Sequence, residues 1–121
     1  MWRVHNYREL RVWHAACDLA VAICEVTSSF PVTEQFGFTS QMRRAAMSAA
    51  ANIAEGAGRG SVADFRRFIG IASGSAFECE THVTVAQRVG LLDAETAGDL
   101  LRAVSSVKRM LFRLSKSLED H

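Results

Sequence analysis

The residues that could support catalysis are the acidic and histidine side chains in the middle of the chain. Internal carboxylates are the ligands of di-metal sites in four-helix bundles, and Glu55, Glu78 and Glu80 are the candidates. Those sites use Glu-x-x-His motifs on two helices, whereas His82 follows Glu78 by four residues and has no second histidine at a matching level. The spacing therefore favours a structural ion-pair network and predicts no metal site.

Nucleophilic and phosphate-binding patterns are incomplete as well. Ser48, Ser73 and Ser75 have no His–Asp pair to activate them, and the chain contains no Gly-x-Ser-x-Gly motif. The run GAGRGS, which begins at Gly56, lacks the Lys-Ser/Thr pair and the preceding strand of a phosphate-binding loop. The three cysteines fit no metal-ligand spacing. We therefore expect no catalytic residue, no cofactor, no small-molecule substrate and no enzymatic activity.

A stripe of basic residues near the C-terminal end is the one pattern with a specific functional interpretation. At about 100° per residue the stripe lies opposite a line of leucine and valine side chains, so it faces away from the core. Arginines arranged in this way can contact phosphates, and the alternative is a solvated helix face without a ligand. The formal net charge of +1 and the pI of about 7.8 add no support. The stripe consists of Arg102, Arg109, Arg113 and Lys116.

Helices must position these residues, and the second helix carries a polar row beside its apolar stripe. The row mixes a cation and an acid with amides and a hydroxyl, which is typical of a buried or half-buried hydrogen-bond network. We expect Arg44 to be buried against Glu78 or Glu55, and Arg43 to reach solvent or a neighbouring subunit. Removing one partner of a buried ion pair costs roughly 3–5 kcal/mol. The predicted network is Gln41, Arg44, Ser48, Asn52, Glu55 and Glu78.

The first helix has two apolar faces about 180° apart. A helix in a monomeric four-helix bundle needs one apolar stripe, so the second face predicts that another copy of the chain covers it. The face expected to enter the core holds Leu10, Trp13, Cys17, Ala20, Val21 and Cys24. The oligomer interface is expected at Val12, Leu19, Ile23 and Val26.

Length and composition favour a single helical domain over residues 1–121, with 49% hydrophobic residues and one proline. The N-terminus has no apolar signal core, and no apolar run approaches the roughly 18 residues of a membrane span. We therefore expect a cytoplasmic protein without a membrane partner. Amphipathic helices with short connections predict an all-α, antiparallel up-down four-helix bundle. Its helices are expected at about 7–29, 40–56, 62–89 and 94–118.

An ordered set of motifs includes Phe36-Gly37, Thr39-Ser40-Gln41, Arg43-Arg44-Ala45-Ala46, Asn52-Ile53-Ala54-Glu55-Gly56 and Ile71-Ala72-Ser73-Gly74-Ser75. With these motifs the chain resembles the four-helix-bundle proteins encoded by intervening sequences in bacterial 23S rRNA genes. That family is related to the accessory protein of diversity-generating retroelements. The resemblance implies a homopentameric barrel. Ala49-Ala50 stands where the family pattern has an Ile-Pro pair, so we expect a straighter second helix.

The resemblance also bears on function, although most members of this family have no defined biochemical role. The retroelement member is understood to engage nucleic acid and a reverse transcriptase through its oligomer. We therefore expect a non-enzymatic homo-oligomeric adaptor that presents a basic surface to RNA, DNA or a reverse-transcriptase-like protein. The alternative is a purely structural or protein-binding assembly module with no nucleic-acid role.

Overall fold

The computed structural model describes residues 6–119, and within them the chain forms four α-helices and no strand. The predicted all-α fold with four helices is therefore confirmed. Two 3₁₀ turns and one π-helical turn complete the regular structure of the described residues. The helices are α1 at Arg11–Thr27, α2 at Ser40–Ala57, α3 at Val62–Arg88 and α4 at Ala94–Ser117; the turns are Tyr7–Glu9, Val32–Glu34 and Gln35–Thr39.

α1 is shorter than predicted, because its expected first turn is a separate 3₁₀ turn at Tyr7–Glu9. The Asn6 side chain caps this turn by accepting the Arg8 N–H at 3.0 Å. Leu10 then has extended φ/ψ angles and separates the turn from the helix. The other three helices begin and end within one residue of their predicted bounds.

The segments on both sides of α3 follow ordinary turn chemistry. Ser61 Oγ accepts the Asp64 N–H at 3.2 Å and caps α3, and Asp93 Oδ1 accepts the Thr96 N–H at 2.7 Å and caps α4. Gly90 follows the end of α3 with φ of +87°, a left-handed conformation that favours glycine. These short connections bring α3 and α4 next to each other.

The four helices enclose one hydrophobic core, with the main contacts running α1–α2, α2–α3, α3–α4 and α1–α4. Burial of their apolar faces is the dominant favourable term in folding. None of the helices in the described part of the chain is long and apolar enough to cross a membrane. The largest side chains with almost no exposure include Phe65, Leu19, Ile23, Met42, Ile53, Ile69 and Leu111.

α1 is rotated about its axis relative to the predicted orientation. Val12, Leu19 and Ile23 lie in the core of a single chain, at 5%, 1% and 0% exposure. The prediction that they form an oligomer interface is therefore wrong, and the half-buried Val26 also packs against this core. Val21, which was assigned to the core, is 57% exposed. Because both faces are apolar, the side with the larger branched residues enters the core. Half-buried residues of the other side also pack against it, and these include Trp13, Cys17 and Ala20.

α2 runs without interruption, and its small residues let it approach α3 closely. Ala49 and Ala50 are buried in its middle, at 0% and 9% exposure. At Gly56 the approach is closest, because an added Cβ would lie 2.6 Å from Phe68 Cβ and 3.1 Å from Phe65 Cδ1. Any side chain at this position would therefore force the two helices apart.

Candidate functional site

The polar row of α2 forms one small network with α3, and it is smaller than predicted. Ser48 Oγ and Ser75 Oγ are hydrogen-bonded at 2.9 Å. Asn52 Nδ2 donates to Ser48 O at 2.9 Å and to Ser48 Oγ at 3.0 Å. Ser75 is only 8% exposed, so this hydroxyl pair satisfies polar groups that would otherwise be buried without a partner. The sequence singled out Ser48 and Asn52, but nothing distinguished Ser75 from the other serines of α3.

The remaining members of the predicted network lie outside it. Arg44 is exposed and donates from Nη2 to Gln41 Oε1 at 3.1 Å. Glu55 is exposed and lies 3.5 Å from Arg59 Nη1. The prediction that Arg44 is buried against Glu78 or Glu55 is therefore wrong. A solvent-exposed residue of this kind contributes little to stability, so the large cost expected for Arg44→Ala does not apply.

Arg43, and not Arg44, is the arginine of α2 that contacts another helix. Its Nε donates to Thr27 Oγ1 at 2.9 Å, and its Nη2 donates to Cys24 O at 3.3 Å. These acceptors lie in the last turn of α1, where a cation also interacts favourably with the helix dipole. Arg43 therefore connects the end of α1 to α2. Arg44 cannot make the same contacts, because its side chain is rotated by about 100° around the helix relative to that of Arg43.

Glu78 and Glu80, both on α3, have different partners. Glu78 Oε2 lies 3.9 Å from His82 Nε2, one helical turn away. Glu80 reaches α4 and accepts from Lys108 Nζ at 3.0 and 3.1 Å. Within residues 6–119 no three His, Cys, Asp or Glu side chains come together in a group that could hold a metal ion.

Two of the three cysteines, Cys17 and Cys79, are not activated nucleophiles. Burial raises the pKa of the Cys79 thiol to about 11, and the negative charge of Glu78 adds to the increase. Burial also raises the pKa of Cys17, again with a contribution from a neighbouring carboxylate, that of Asp18. A thiolate is the reactive form, so both side chains stay protonated and unreactive near neutral pH.

A groove with a volume of about 430 Å³ lies between α3 and α4. Its apolar part consists of two exposed rings, Phe77 on α3 and Phe112 on α4, which are 54% and 64% exposed. Of the described residues that line it, none is acidic. We refer to it as the basic groove, and its lining consists of Ser73, Phe77, Ser105, Lys108, Arg109, Phe112 and Arg113.

Lys108 bridges the two helices that form the basic groove. Its Nζ lies 3.0 Å from Glu80 Oε2 and 4.4 Å from the centroid of the Phe77 ring. The ammonium group therefore makes an ion pair and a cation–π contact at once, and both hold the α4 side chain against α3.

The two arginines of the basic groove are more available to a ligand than Lys108 is. Arg109 Nη1 donates to Ser105 Oγ at 2.9 Å, and Arg113 is exposed. Neither guanidinium has an ion-pair partner among residues 6–119. Each can therefore offer several N–H donors to an incoming anion without first breaking an ion pair.

The predicted basic stripe divides into two parts. Arg109 and Arg113 line the basic groove. Lys116 lies beside it, with Nζ at 5.6 Å from the ring centroid of the α4 phenylalanine. Arg102 is paired with Asp99 on its own helix and does not contribute to the lining.

The sequence did not predict the two phenylalanines of the basic groove. Phe112 stands next to Arg113 on the polar side of the most clearly amphipathic helix, which is an unusual place for a large apolar residue. That position was a usable signal. The sequence contained no signal that Phe77 lies near Phe112, because their proximity depends on how α3 and α4 pack.

The fold and this surface together define an all-α protein of four helices whose described residues present a basic, phenylalanine-lined groove. The family model for the 23S rRNA-intervening sequence protein matches residues 8–113. The chain therefore belongs to the family of 23S rRNA-intervening sequence proteins.

One solved structure shows the same fold in a relative. It is a protein of unknown function from the S23 ribosomal protein family of Bacteroides thetaiotaomicron VPI-5482, 27% identical in sequence. The alignment covers 87% of this chain and 98% of that chain, with a TM-score of 0.80. Among curated proteins, no match to the chain is found.

Proposed function

We propose that this protein is a non-enzymatic, homo-oligomeric adaptor that binds nucleic acid through the basic groove. The observation that carries the proposal is the pair of arginines, Arg109 and Arg113, which line the groove without ion-pair partners among the described residues. Guanidinium groups without ion-pair partners can bind the phosphate groups of a nucleic acid. Because the overall charge is only +1, binding depends on this local cluster rather than on the charge of the whole chain.

Assembly is the second part of the proposal. On α1, Trp13 and Cys17 pack against the core but stay half-buried, and Val21 is 57% exposed, so this side of the helix keeps apolar surface in water. A second copy of the chain that covers this side would remove apolar surface from water. The family resemblance implies five copies, and short connections between consecutive helices support an antiparallel up-down bundle within each copy. An assembly of this kind repeats the basic groove and enlarges its field.

A purely structural or protein-binding module is the second candidate. It is favoured by the same side of α1 and by exposed Met47 on α2, at 56% exposure, because both suit contacts between proteins. The partner could also be a nucleic-acid enzyme similar to a reverse transcriptase. In either case the protein would not bind isolated nucleic acid.

Binding of labelled RNA and DNA at two or more salt concentrations tests the proposal. Affinity must fall as salt rises, because neutralised phosphates release counterions, with a slope of about 0.7–0.9 per phosphate contact. In the double variant Arg109→Gln/Arg113→Gln, two contacts are lost, and the slope should decrease by about 1.4–1.8. The matched control is Arg66→Gln/Arg102→Gln, which removes the same charge outside the basic groove.

The outcomes separate the two candidate functions. Weaker, less salt-dependent binding by the groove variant alone supports the nucleic-acid adaptor. If the wild-type protein shows no salt-dependent binding, or if both double variants lose affinity equally, the basic groove is not the binding site. Light scattering on the same samples measures the number of copies.

A further inference from the structure

The basic groove differs from a simple phosphate-binding surface because two of its seven lining residues are phenylalanines. Phe112 is 64% exposed and Phe77 is 54% exposed, and both line the same 430 Å³ space as Arg109 and Arg113. Large apolar side chains on a surface cost free energy unless a partner covers them. Phosphate contacts alone would give these rings no role.

We propose that the basic groove binds single-stranded nucleic acid, with an unpaired base stacked on Phe112 and the flanking phosphates held by Arg109 and Arg113. This inference rests on the proposed nucleic-acid function and specifies its ligand. Aromatic rings that alternate with cations are the common means of binding single strands without sequence preference, since every base has a π-face.

The geometry distinguishes the two rings. The Lys108 ammonium lies 4.4 Å from the Phe77 ring centroid and is held there by Glu80 at 3.0 Å. A base would have to displace that cation or use the other side of the ring. Lys116 lies 5.6 Å from the Phe112 ring centroid. Its ion pair with Glu119 is longer, at 3.5 Å, and more exposed than that of Lys108. An exposed pair of this kind contributes little to stability, so Lys116 can move away. Phe112 is therefore the primary stacking surface.

A duplex is the less suitable ligand for this groove. The bases of a double helix are stacked on one another, so their faces are not available to a protein ring. A duplex could contact Arg109 and Arg113 through its phosphates, but Phe112 and Phe77 would remain uncovered. The volume of about 430 Å³ lies within the range of roughly 300–1,000 Å³ that is typical of small-molecule pockets. A space of this size suits a ligand of about one nucleotide better than a double helix.

The test compares four labelled probes of equal length: a single RNA strand, a single DNA strand, a duplex, and a single strand in which abasic sites replace the bases. The abasic strand keeps the phosphates and removes the stacking groups. Binding is measured by fluorescence anisotropy for the wild-type protein and for Phe112→Leu, which keeps an apolar helix-forming residue without a π-face. Phe36→Leu is the matched control, because Phe36 is 87% exposed and does not line the groove.

We expect the wild-type protein to bind the intact single strands more tightly than the duplex or the abasic strand. Phe112→Leu should weaken binding of the intact strands by roughly 5- to 150-fold, the range that follows from about 1–3 kcal/mol per stacked base. It should leave the abasic strand, the duplex and the salt dependence unchanged. Phe36→Leu should behave as the wild-type protein.

Three results would overturn the inference. Equal affinity for intact and abasic strands, or tighter binding of the duplex, would show that phosphates alone are recognised. An unchanged affinity of Phe112→Leu for intact strands would remove the stacking role. A lower oligomer mass of Phe112→Leu in light scattering would show that the ring lies between copies of the chain.

These failures are distinguishable from failure of the proposed function. If the protein binds duplex and abasic strands in a salt-dependent way that requires Arg109 and Arg113, the nucleic-acid function stands and only the single-strand inference falls. If no probe binds in a salt-dependent way, both fall together. The RNA and DNA strands show whether the sugar contributes, and either preference is compatible with stacking.

Discussion

The two sides of α3 pack in opposite ways. Toward α2 the contact is tight, because Gly56 leaves no space for a single methyl group next to Phe65 and Phe68, and a buried hydroxyl pair joins the helices. Toward α4 the helices leave the basic groove, with about 430 Å³ of open space. We refer to the tight contact as the α2–α3 seam, and its residues are Ser48, Gly56, Phe65, Phe68 and Ser75.

If the proposed function holds, one helix serves stability on one side and recognition on the other. Small residues at the α2–α3 seam bring the helix axes together and allow dense packing without voids. Larger side chains at the basic groove, Phe77 on α3 and Lys108 on α4, meet between the two helices and stay partly exposed. Mutations at the seam should therefore affect unfolding, and mutations at the groove should affect binding.

The largest effect is expected from a phenylalanine-to-alanine exchange at the α2–α3 seam. Phe65 is 0% exposed, so Phe65→Ala removes a buried ring and leaves a cavity, at a cost of about 3–5 kcal/mol. Phe112→Ala is the matched exchange at the basic groove and should change the free energy of unfolding by no more than about 0.5 kcal/mol. Urea unfolding monitored by circular dichroism measures both.

Equal losses for these two variants would contradict the comparison. A large loss for Phe112→Ala would mean that the basic groove is covered in the native assembly. Because association stabilises the folded chain, the measurement should be repeated at several protein concentrations. A loss that depends on concentration belongs to an interface, and a constant loss belongs to the single chain.

The second prediction uses two glycines. Gly56→Ala would place a Cβ 2.6 Å from Phe68 Cβ, an atom that cannot rotate away from the clash. The overpacking penalty should exceed the gain of up to about 1 kcal/mol in helix propensity, so the expected net loss is about 1–2 kcal/mol. Gly70→Ala is the control, because an added Cβ there meets nothing within 4 Å. It should stabilise the protein by about 0.5–1 kcal/mol.

Thermal unfolding of the two glycine variants should give shifts of opposite sign. A stabilised Gly56→Ala would show that α2 and α3 can separate without cost, which would contradict the tight packing of the seam. A destabilised Gly70→Ala would show that the outward side of α3 is covered by another molecule. That second outcome would locate an interface that a single chain does not show.

The sequence was sufficient for the helices but not for their orientation. Periodicity and turn residues gave the bounds of α2, α3 and α4 within one residue, because these signals are local. The rotation of α1 could not be deduced in the same way. Leu19 and Val21 belong to two apolar faces of similar character, and only contact with the other helices decides which one is buried.

The same limit applies to the functional residues. Arg43 and Arg44 are chemically identical neighbours, and the choice between them depends on where the end of α1 lies relative to α2. Arg109 and Arg113 could be selected from one helix alone, since exposure follows from amphipathicity. Phe77 could not, because its contribution to the basic groove arises only when α3 packs against α4.

A smaller effect is expected at the hydroxyl pair of the α2–α3 seam. Ser75→Ala removes the 2.9 Å hydrogen bond to Ser48 Oγ, while Asn52 continues to donate to that oxygen. No buried polar atom of the pair loses all its partners, so the loss should be about 0.5–1.5 kcal/mol. Ser73→Ala, at the basic groove, is the control and should stay within about 0.5 kcal/mol. A larger loss for Ser73→Ala than for Ser75→Ala would reverse the assignment of the two sides.

The smallest expected effect is a pH dependence confined to the basic-groove side. Asp93 caps α4, and the hydrogen bond from the Thr96 backbone N–H lowers the pKa of Asp93 below its usual value of 3.8. Ser61, which caps α3, does not titrate. A lowered pKa in the folded state means that Asp93 stabilises the protein fully above pH 3.8 and loses that contribution as the pH falls through the folded-state pKa.

Asp93→Asn isolates this contribution, because asparagine is a comparable cap that carries no charge and does not titrate. At neutral pH the wild-type protein should be at least as stable, since a carboxylate also interacts favourably with the N-terminus of α4. As the pH falls below about 3.8, the wild type should lose this advantage. Comparing the two proteins at each pH isolates the contribution of residue 93. If the wild type has the same stability advantage over Asp93→Asn at pH 7 and at pH 3, Asp93 does not cap α4. The two sides of α3 would then respond to acid in the same way.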